Sequence, residues 1–242
     1  MTTPYQDSGD KKKQQVEQMF DHIAPKYDFL NHFLSLGIDK LWRKKAIRIL
    51  KTYNPETLLD VATGTGDFAI EASKMKPKEI VGLDISGKML QIGEQKVKRR
   101  GLENIINFMK GDSENMPFEE QSFDAVISAF GVRNFENLQK GLSEFSRVLK
   151  PGGVTIILEF SKPKSFPFKQ LYNFYFLHIL PFIGGKVSKD TSAYNYLPES
   201  VMAFPEDRDF LNILADTGFS KLKQHRLTFG IATIYEATKL VI

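Results

Sequence analysis

The residue types that suggest chemistry begin at Asp60. The apolar run Leu58-Leu59-Asp60-Val61 opens into a turn of small residues, Ala62-Thr63-Gly64-Thr65-Gly66. Small residues let a backbone come close to a ligand, and Gly64-x-Gly66-x-x-Ala69 fits the loose dinucleotide fingerprint. Twenty positions after Gly64, Asp84 ends a second apolar run. A carboxylate there offers several lone pairs to the two hydroxyls of a ribose. NAD and S-adenosylmethionine both carry that diol, so these residues alone do not separate them. A third acid, Asp112, follows a third run within Gly111-Asp112-Ser113-Glu114-Asn115-Met116-Pro117-Phe118. An acid at that place accepts from an adenine amino group, and Met116 and Phe118 supply apolar contact for the ring. A nicotinamide enzyme has no particular need of that pair of features. Past a fourth run, Arg133 and Asn134 bring a cation and an amide to the same edge.

These groups need elements to hold them. Residues 11–52 read as helical, with Val16, Met19, Phe20 and Ile23 at helical spacing. Pro25 interrupts the pattern and predicts two helices or a kink. Strands and helices then alternate. Strands are expected at 57–61, 79–84, 105–110, 123–130 and 154–160, and helices at 67–75, 87–100 and 138–149. Such alternation predicts a parallel sheet with helices on both faces and its ligand at the carboxyl ends of the strands. Residues 161–205 break the rhythm. They hold Phe166, Phe168, Tyr172, Phe174, Tyr175, Phe176 and Phe182 among prolines and Gly184-Gly185. A helix at 210–215 and strands at 219–228 and 231–239, pairing antiparallel, complete a seven-stranded mixed sheet.

Composition sets limits. Hydrophobic residues make up 42% and charged residues 26%, which suits a folded globular chain. Without cysteine there are no disulfides and no Cys-ligated metals. No apolar run reaches the ~18 residues that span a bilayer. The segment MTTPYQDSGDKKKQQ lacks the apolar stretch of a signal peptide, so a cytoplasmic location is expected. No metal-ligand cluster is visible. The net charge of +4 biases the surface toward anionic partners such as lipid headgroups or nucleic acid. Lys11–Lys13 and Lys96, Lys98, Arg99 and Arg100 read as solvated helix surface.

The stretches LLDVATGTGD, VGLDIS and GDSENMPF resemble the successive cofactor motifs of class I S-adenosylmethionine-dependent methyltransferases, with Ala62 where the first glycine of that motif usually stands. RVLKPGGVTIILEFS (residues 147–161) resembles a signature of the UbiE/MenG/COQ5 family of quinone-ring C-methyltransferases. Tyr27-Asp28-Phe29-Leu30-Asn31, with Ser35 and Trp42, is similar to that family's N-terminal signature, departing from it at Leu30 and Asp39. Residues 130–134 and 194–200 also look like family stretches, so the resemblance covers nearly the whole chain.

The resemblance implies a Rossmann-like class I methyltransferase domain. Residues 1–52 would be a helical cap, 53–160 the cofactor-binding core, 161–205 a substrate-lid insertion and 206–242 the closing helix and strand pair. It implies S-adenosylmethionine as cofactor. Ala62–Gly66 would cradle its amino-acid end, with Thr63 as polar contact and Asp60 holding the loop or the ammonium. Gly64 and Gly66 would allow close approach, Asp84 would take the ribose, Asp112 and Ser113 the adenine side, and Ala129 the edge of the fourth strand. The implied reaction methylates a ring carbon of a prenylated quinol, demethylmenaquinol to menaquinol, with the 2-polyprenyl-6-methoxy-benzoquinol of ubiquinone synthesis as the alternative.

Ionising the quinol hydroxyl pushes electron density onto the carbon ortho to it. Arg133 would stabilise that oxyanion or polarise a water, and Asn134 would orient it. Tyr27, Phe33 and Tyr196 are the substrate-side candidates. The aromatic insertion would wall the prenyl tail. Its aromatics and the mild positive charge would suit peripheral docking at the inner face of the cytoplasmic membrane. A homodimer stands beside a monomer as an open alternative. Three rival readings carry less. An NAD-dependent oxidoreductase lacks a candidate hydride site, and a nucleic-acid methyltransferase would need a concentrated basic face. A degenerate binding module would not need Asp84, Asp112, Gly64 and Gly66 intact.

Overall fold

The computed structural model describes residues 2–5, 8–35, 37–175 and 192–241, without the side chains of 29–34 and 192–195. Phe176, Phe182 and Gly184-Gly185 of the aromatic insertion lie outside the described residues. Seven strands form one mixed sheet in the order β3-β2-β1-β4-β5-β7-β6. The parallel strands are β1 (Thr57–Val61), β2 (Glu79–Asp84), β3 (Ile106–Lys110), β4 (Phe123–Ala129) and β5 (Leu149–Phe160). β6 (Phe219–Leu227) and β7 (Ala232–Lys239) pair antiparallel, and β7 also runs antiparallel to β5.

The strands read as apolar runs because both faces are covered. On one face Leu58, Ile80, Ile127 and Ile156 pack against α2 (Ile38–Leu50), α3 (Asp67–Ala72) and α4 (Gly87–Lys98). On the other, Leu59, Val81, Val126 and Ile157 meet α5 (Leu138–Val148), and Tyr235 meets Phe210 of a C-terminal helix, Arg208–Asp216. Each fully buried side chain of this size contributes ~1.5–3 kcal/mol. Ser86 and Asn137 cap α4 and α5 by accepting the N–H groups of Met89 and Lys140. Two further helices, α6 (Phe168–Phe174) and α7 (Ser192–Ala203), precede the C-terminal one, which is α8. Among the described residues no helix is long and apolar enough to cross a membrane.

Two boundaries differ from those expected. α1 (Lys12–Leu34) continues through Pro25 as one helix, and turn residues stand at Ser35 and Gly37 instead. Side-chain ties on both sides of the proline keep the helix in place. Asp21 accepts from the Ser86 hydroxyl at 2.6 Å, and Asp28 is joined to Lys96 at 2.8 Å. Gly37, at φ 73°, then supplies the left-handed residue that the turn into α2 needs. β5 begins at Leu149 rather than Val154. Its pairing jumps from Phe123–Leu149 to Ala125–Val154, so Lys150–Gly153 bulge out within the strand.

Candidate active site

The carboxyl ends of β1, β2 and β4 meet under α1 and leave a cavity there. The turn after β1 is tightly wound, with Ala62, Gly64 and Gly66 all at positive φ (54°, 57° and 78°). Ala62 carries a strain of about 1 kcal/mol for this. The neighbouring Thr63 N–H is held by the Leu83 carbonyl at 3.0 Å. Beneath the turn lies Asp60, fully buried. Its Oδ2 accepts from the Thr63 hydroxyl (2.6 Å) and the Ala69 N–H (3.0 Å), while Oδ1 has no hydrogen-bond partner among the described residues. Burial lifts its carboxyl to about 7 against the pull of those two donors and of Arg43. Thr63 therefore turns its hydroxyl to Asp60, and neither residue lines the cavity. Gly66 faces away as well. A Cβ on Gly66, Gly82 or Gly93 would fall within 3.0 Å of the Phe108 ring, so the three glycines form a slot that seats Phe108 behind the turn.

The cavity opens to solvent, and its empty space, the open part included, is about 680 Å³. Gly64, Asp84, Asp112, Ser113, Ala129 and Asn134 line it, as does Tyr27. Asp84 accepts the Gly64 N–H on one oxygen (2.7 Å) and the Ser86 N–H on the other (2.8 Å). Burial raises its carboxyl to about 6 despite these donors. At the β3 end, Asp112 accepts the Glu114 N–H through Oδ1 and pairs through Oδ2 with Lys13 Nζ at 2.5 Å. Lys13, Val16, Phe20 and Tyr27 bring one stripe of α1 over the opening. Tyr27 meets Phe20 edge-on, and its ring comes within 3.9 Å of where a Gly64 Cβ would stand.

Arg133 and Asn134 sit on a 3₁₀ turn, Val132–Asn134, past β4. Asn134 reaches the cavity; the Arg133 side chain is buried beside it. Arg133 Nη1 donates to Glu159 Oε2 at 3.0 Å and to the Phe130 carbonyl, which also receives Asn134 Nδ2 at 3.5 Å. The guanidinium and the amide thus meet at one atom. Arg133 Nε and Asn134 Oδ1 are buried without hydrogen-bond partners among the described residues. Tyr196, on α7, is buried against Val16 and Met19, and its hydroxyl is likewise without one. Burial pushes that hydroxyl up to about 12, with Arg133 pulling against it. The Phe33 side chain lies outside the described residues. At the position where the family signature departs, Asp39 is buried and pairs with Arg43, whose guanidinium stands 5.6 Å from the centre of the Phe130 ring.

The two basic runs are not uniformly solvated. Lys12 is buried, donating to the Phe135 carbonyl at 2.9 Å and that of Arg133 at 3.4 Å, and Lys13 holds Asp112. Lys96 is buried among Asp28, Asp67 and Thr65, which fastens α1 to the turn; Lys98, Arg99 and Arg100 do face solvent. The partners of Lys12, Lys13 and Lys96 are distant in the chain, so periodicity gave no sign of them. Glu159, the acid that holds Arg133, also escaped notice, because it sits in an otherwise apolar strand.

The model of the ubiE/COQ5 methyltransferase family matches residues 8–239. A demethylmenaquinone methyltransferase from Bacteroides fragilis is 52% identical, over 98% of this chain and 96% of its own length. A ubiquinone/menaquinone biosynthesis C-methyltransferase, UbiE, from Geotalea daltonii is 48% identical over 95% of this chain and 98% of its own. Among solved structures, a SAM-dependent methyltransferase from Thermotoga maritima superposes with a TM-score of 0.65 at 20% identity, over 92% of this chain and 99% of that one, a likeness of fold. With residues 8–239 matched by the family model and a relative 52% identical over 98% of its length, this chain belongs to the ubiE/COQ5 methyltransferase family.

Proposed function

We propose that this protein transfers a methyl group from S-adenosylmethionine to a ring carbon of a prenylated quinol, converting demethylmenaquinol to menaquinol. The observation that carries the reading is 52% identity, over almost the entire chain, to a relative named for that reaction. The ubiquinone-side benzoquinol is the second reading, favoured by the double pathway in the name of the Geotalea relative.

The cavity fits the cofactor. Asp84 stands at its wall, and its ionised carboxylate keeps acceptor capacity for a diol beyond its backbone donors. The Asp112–Lys13 pair offers an acceptor and a donor to an adenine edge. The Ala62–Gly66 turn, with the unmatched Asp60 oxygen below it, suits an amino-acid end. Bound there, the cofactor would supply an electrophilic methyl on its sulfonium; transfer to the ring carbon would leave the neutral thioether, and the ring C–H proton would pass to solvent as the aromatic quinol is restored. The chain's own part is placement and charge. Tyr27 and Phe20 close the cleft to water, which strengthens every charge interaction inside it. Asn134 Oδ1 accepts from the hydroxyl ortho to the reacting carbon and holds it in place, while the Arg133 Nε–H donates to its oxygen and favours the oxyanion once the proton leaves. Holding that carbon ~3–3.5 Å from the methyl is the remaining requirement.

The prenyl tail places the enzyme against a lipid surface. Phe166, Leu171 and Phe229 are exposed, and Phe168 stacks on Phe229 with ring centres 3.8 Å apart. Lys164 and Lys169 stand on the same segment, and Phe160 stacks at 4.4 Å on Phe130, which lines the cavity. This face docks the protein at the inner face of the cytoplasmic membrane. One assay tests both statements: labelled methyl transfer to each quinol presented in anionic liposomes, with the protein's co-sedimentation read alongside. Transfer to neither quinol refutes the reaction; transfer without co-sedimentation refutes docking.

A further inference from the structure

We infer that Glu159 is a positioning residue for the reaction. It fixes Arg133 from the far side, so that the Nε–H, the Asn134 Oδ1 and the Tyr196 hydroxyl are left to a substrate oxygen, and it offsets part of the Arg133 charge seen there. The inference rests on the quinol reading of this site and names a residue which that reading does not use.

Glu159 is fully buried in β5, where Thr233 of β7 is its cross-strand partner. All its described donors belong to the neighbourhood of Arg133. Oε1 accepts the Arg133 backbone N–H at 3.3 Å, and Oε2 accepts Arg133 Nη1 at 3.0 Å and the Phe160 N–H at 3.2 Å. Backbone and side chain of one residue are thus gripped by one carboxylate. Phe160 backs the arrangement, its ring centre 5.5 Å from the guanidinium carbon. With Nη1 committed, the buried donor left over is Nε–H. Asn134, tied to the same Phe130 carbonyl, leaves a buried acceptor. A hydroxyl, which both donates and accepts, satisfies the two at once. Buried polar atoms that the fold leaves unmatched are costly unless a ligand meets them.

The charges around the pair come from every side. Lys12 approaches from α1, Tyr172 from α6, Tyr196 from α7 and Tyr235 from β7. Burial raises the Glu159 carboxyl, while Arg133 and the two backbone donors pull it back toward the ionised form. An ionised Glu159 makes the pair nearly neutral, so a quinol hydroxyl beside it feels an oriented dipole rather than a bare cation. Removing the acid's charge exposes the cation and lowers the pH at which the hydroxyl ionises.

The test is the pH profile of kcat in Glu159→Gln and Glu159→Asp, with S-adenosylmethionine affinity measured in parallel. In Glu159→Gln the rising limb moves down by about one pH unit and the plateau falls about tenfold, while cofactor Kd stays within twofold. Glu159→Asp keeps the charge and withdraws it by one methylene; its limb stays at the parent position and its plateau drops. An unmoved limb in Glu159→Gln, or a loss of cofactor affinity in step with turnover, overturns the inference. If Glu159→Gln does not fold, Glu159→Asp decides: lowered kcat at unchanged Kd supports the inference, and unchanged kcat overturns it. Failure of the unaltered enzyme to methylate either quinol refutes the functional reading instead.

Discussion

Asp84→Asn separates what Asp84 does for binding from what it does for stability. Both carboxylate oxygens accept backbone N–H groups, from Gly64 at 2.7 Å and Ser86 at 2.8 Å. An amide has one acceptor oxygen, so its NH₂ must face one of those donors. That mismatch costs ~1–3 kcal/mol in a buried site. Charge works the other way. Burial lifts the Asp84 carboxyl from 3.8 to about 6, and two pKa units correspond to roughly 3 kcal/mol for keeping it ionised in the fold. The folded state holds this proton more tightly than the unfolded one. Its stabilising contribution is therefore complete below pH 4 and is lost as pH rises through about 6. Asparagine has no such dependence. The two contributions cancel to within about 2 kcal/mol at pH 8, which keeps Tm within ~8 °C of the parent. Binding has no such cancellation. Two charge-assisted hydrogen bonds to the ribose diol are lost, at least ~1.5 kcal/mol each, or ~150-fold in Kd. Titration calorimetry with S-adenosylmethionine and scanning calorimetry, both from pH 5 to 8, read the two quantities. The parent's affinity should weaken below about pH 6 as Asp84 takes up its proton, and the variant's should stay flat there. A variant Kd within threefold of the parent, or an unchanged pH dependence, would refute the ribose assignment.

Lys13→Met keeps the apolar stem and removes the cation that holds Asp112. The pair is partly exposed, so stability should change by less than ~1 kcal/mol, while cofactor affinity falls roughly three- to tenfold. Equal affinity by calorimetry would show that the pair has no part at the adenine side. Gly82→Ala places a Cβ 2.5 Å from Phe108 Cδ1. Overpacking at this point should cost ~1–3 kcal/mol, and Phe108→Leu in the same chain should recover much of it. Additive losses in the double-mutant cycle would show that the two positions do not press on each other.

Much of the fold was legible because parallel strands covered on both faces must be apolar throughout. Leu58–Val61, Ile80–Leu83 and Ala125–Ile127 stand out for that reason. Asp84 could be placed for a related reason, since it closes such a run, whereas Asp112 follows β3, an edge strand that is largely exposed. What escaped depends on distant partners. Nothing near Pro25 announces that Asp21 will be held by Ser86 and Asp28 by Lys96, and those ties let α1 continue. Lys12 and Lys13 look like any solvated run until the Phe135 carbonyl and Asp112 arrive from more than ninety residues away. The start of β5 was hidden because a Pro-Gly-Gly turn normally separates elements, and here it bulges inside one. Glu159 was hidden by the strand that buries it.

The charges also divide the site into two halves with different tasks. On the turn side, Asp60 and Asp84 are carboxylates that burial works against, raised to about 7 and about 6. Their hydrogen bonds come from hydroxyl and backbone N–H groups, and the cation nearest Asp60 by its influence, Arg43, is itself paired with Asp39. Such acids gain most from a ligand that brings hydroxyls and positive charge, which is what a sulfonium amino acid on a ribose carries. On the Arg133 side, the cation has its own buried acid, and the buried groups left over among the described residues are the Arg133 Nε–H, the Asn134 Oδ1 and the Tyr196 hydroxyl. That half repels neither a neutral quinol nor its anion, and it favours an oxygen over a cation. On the proposed reading the two ligands are sorted by charge before shape acts: the cationic one would be drawn to the acids of the Gly64 turn, and the weakly polar ring to the Arg133–Glu159 pair past β4. The methyl acceptor would then lie on the side away from the charges that hold the donor.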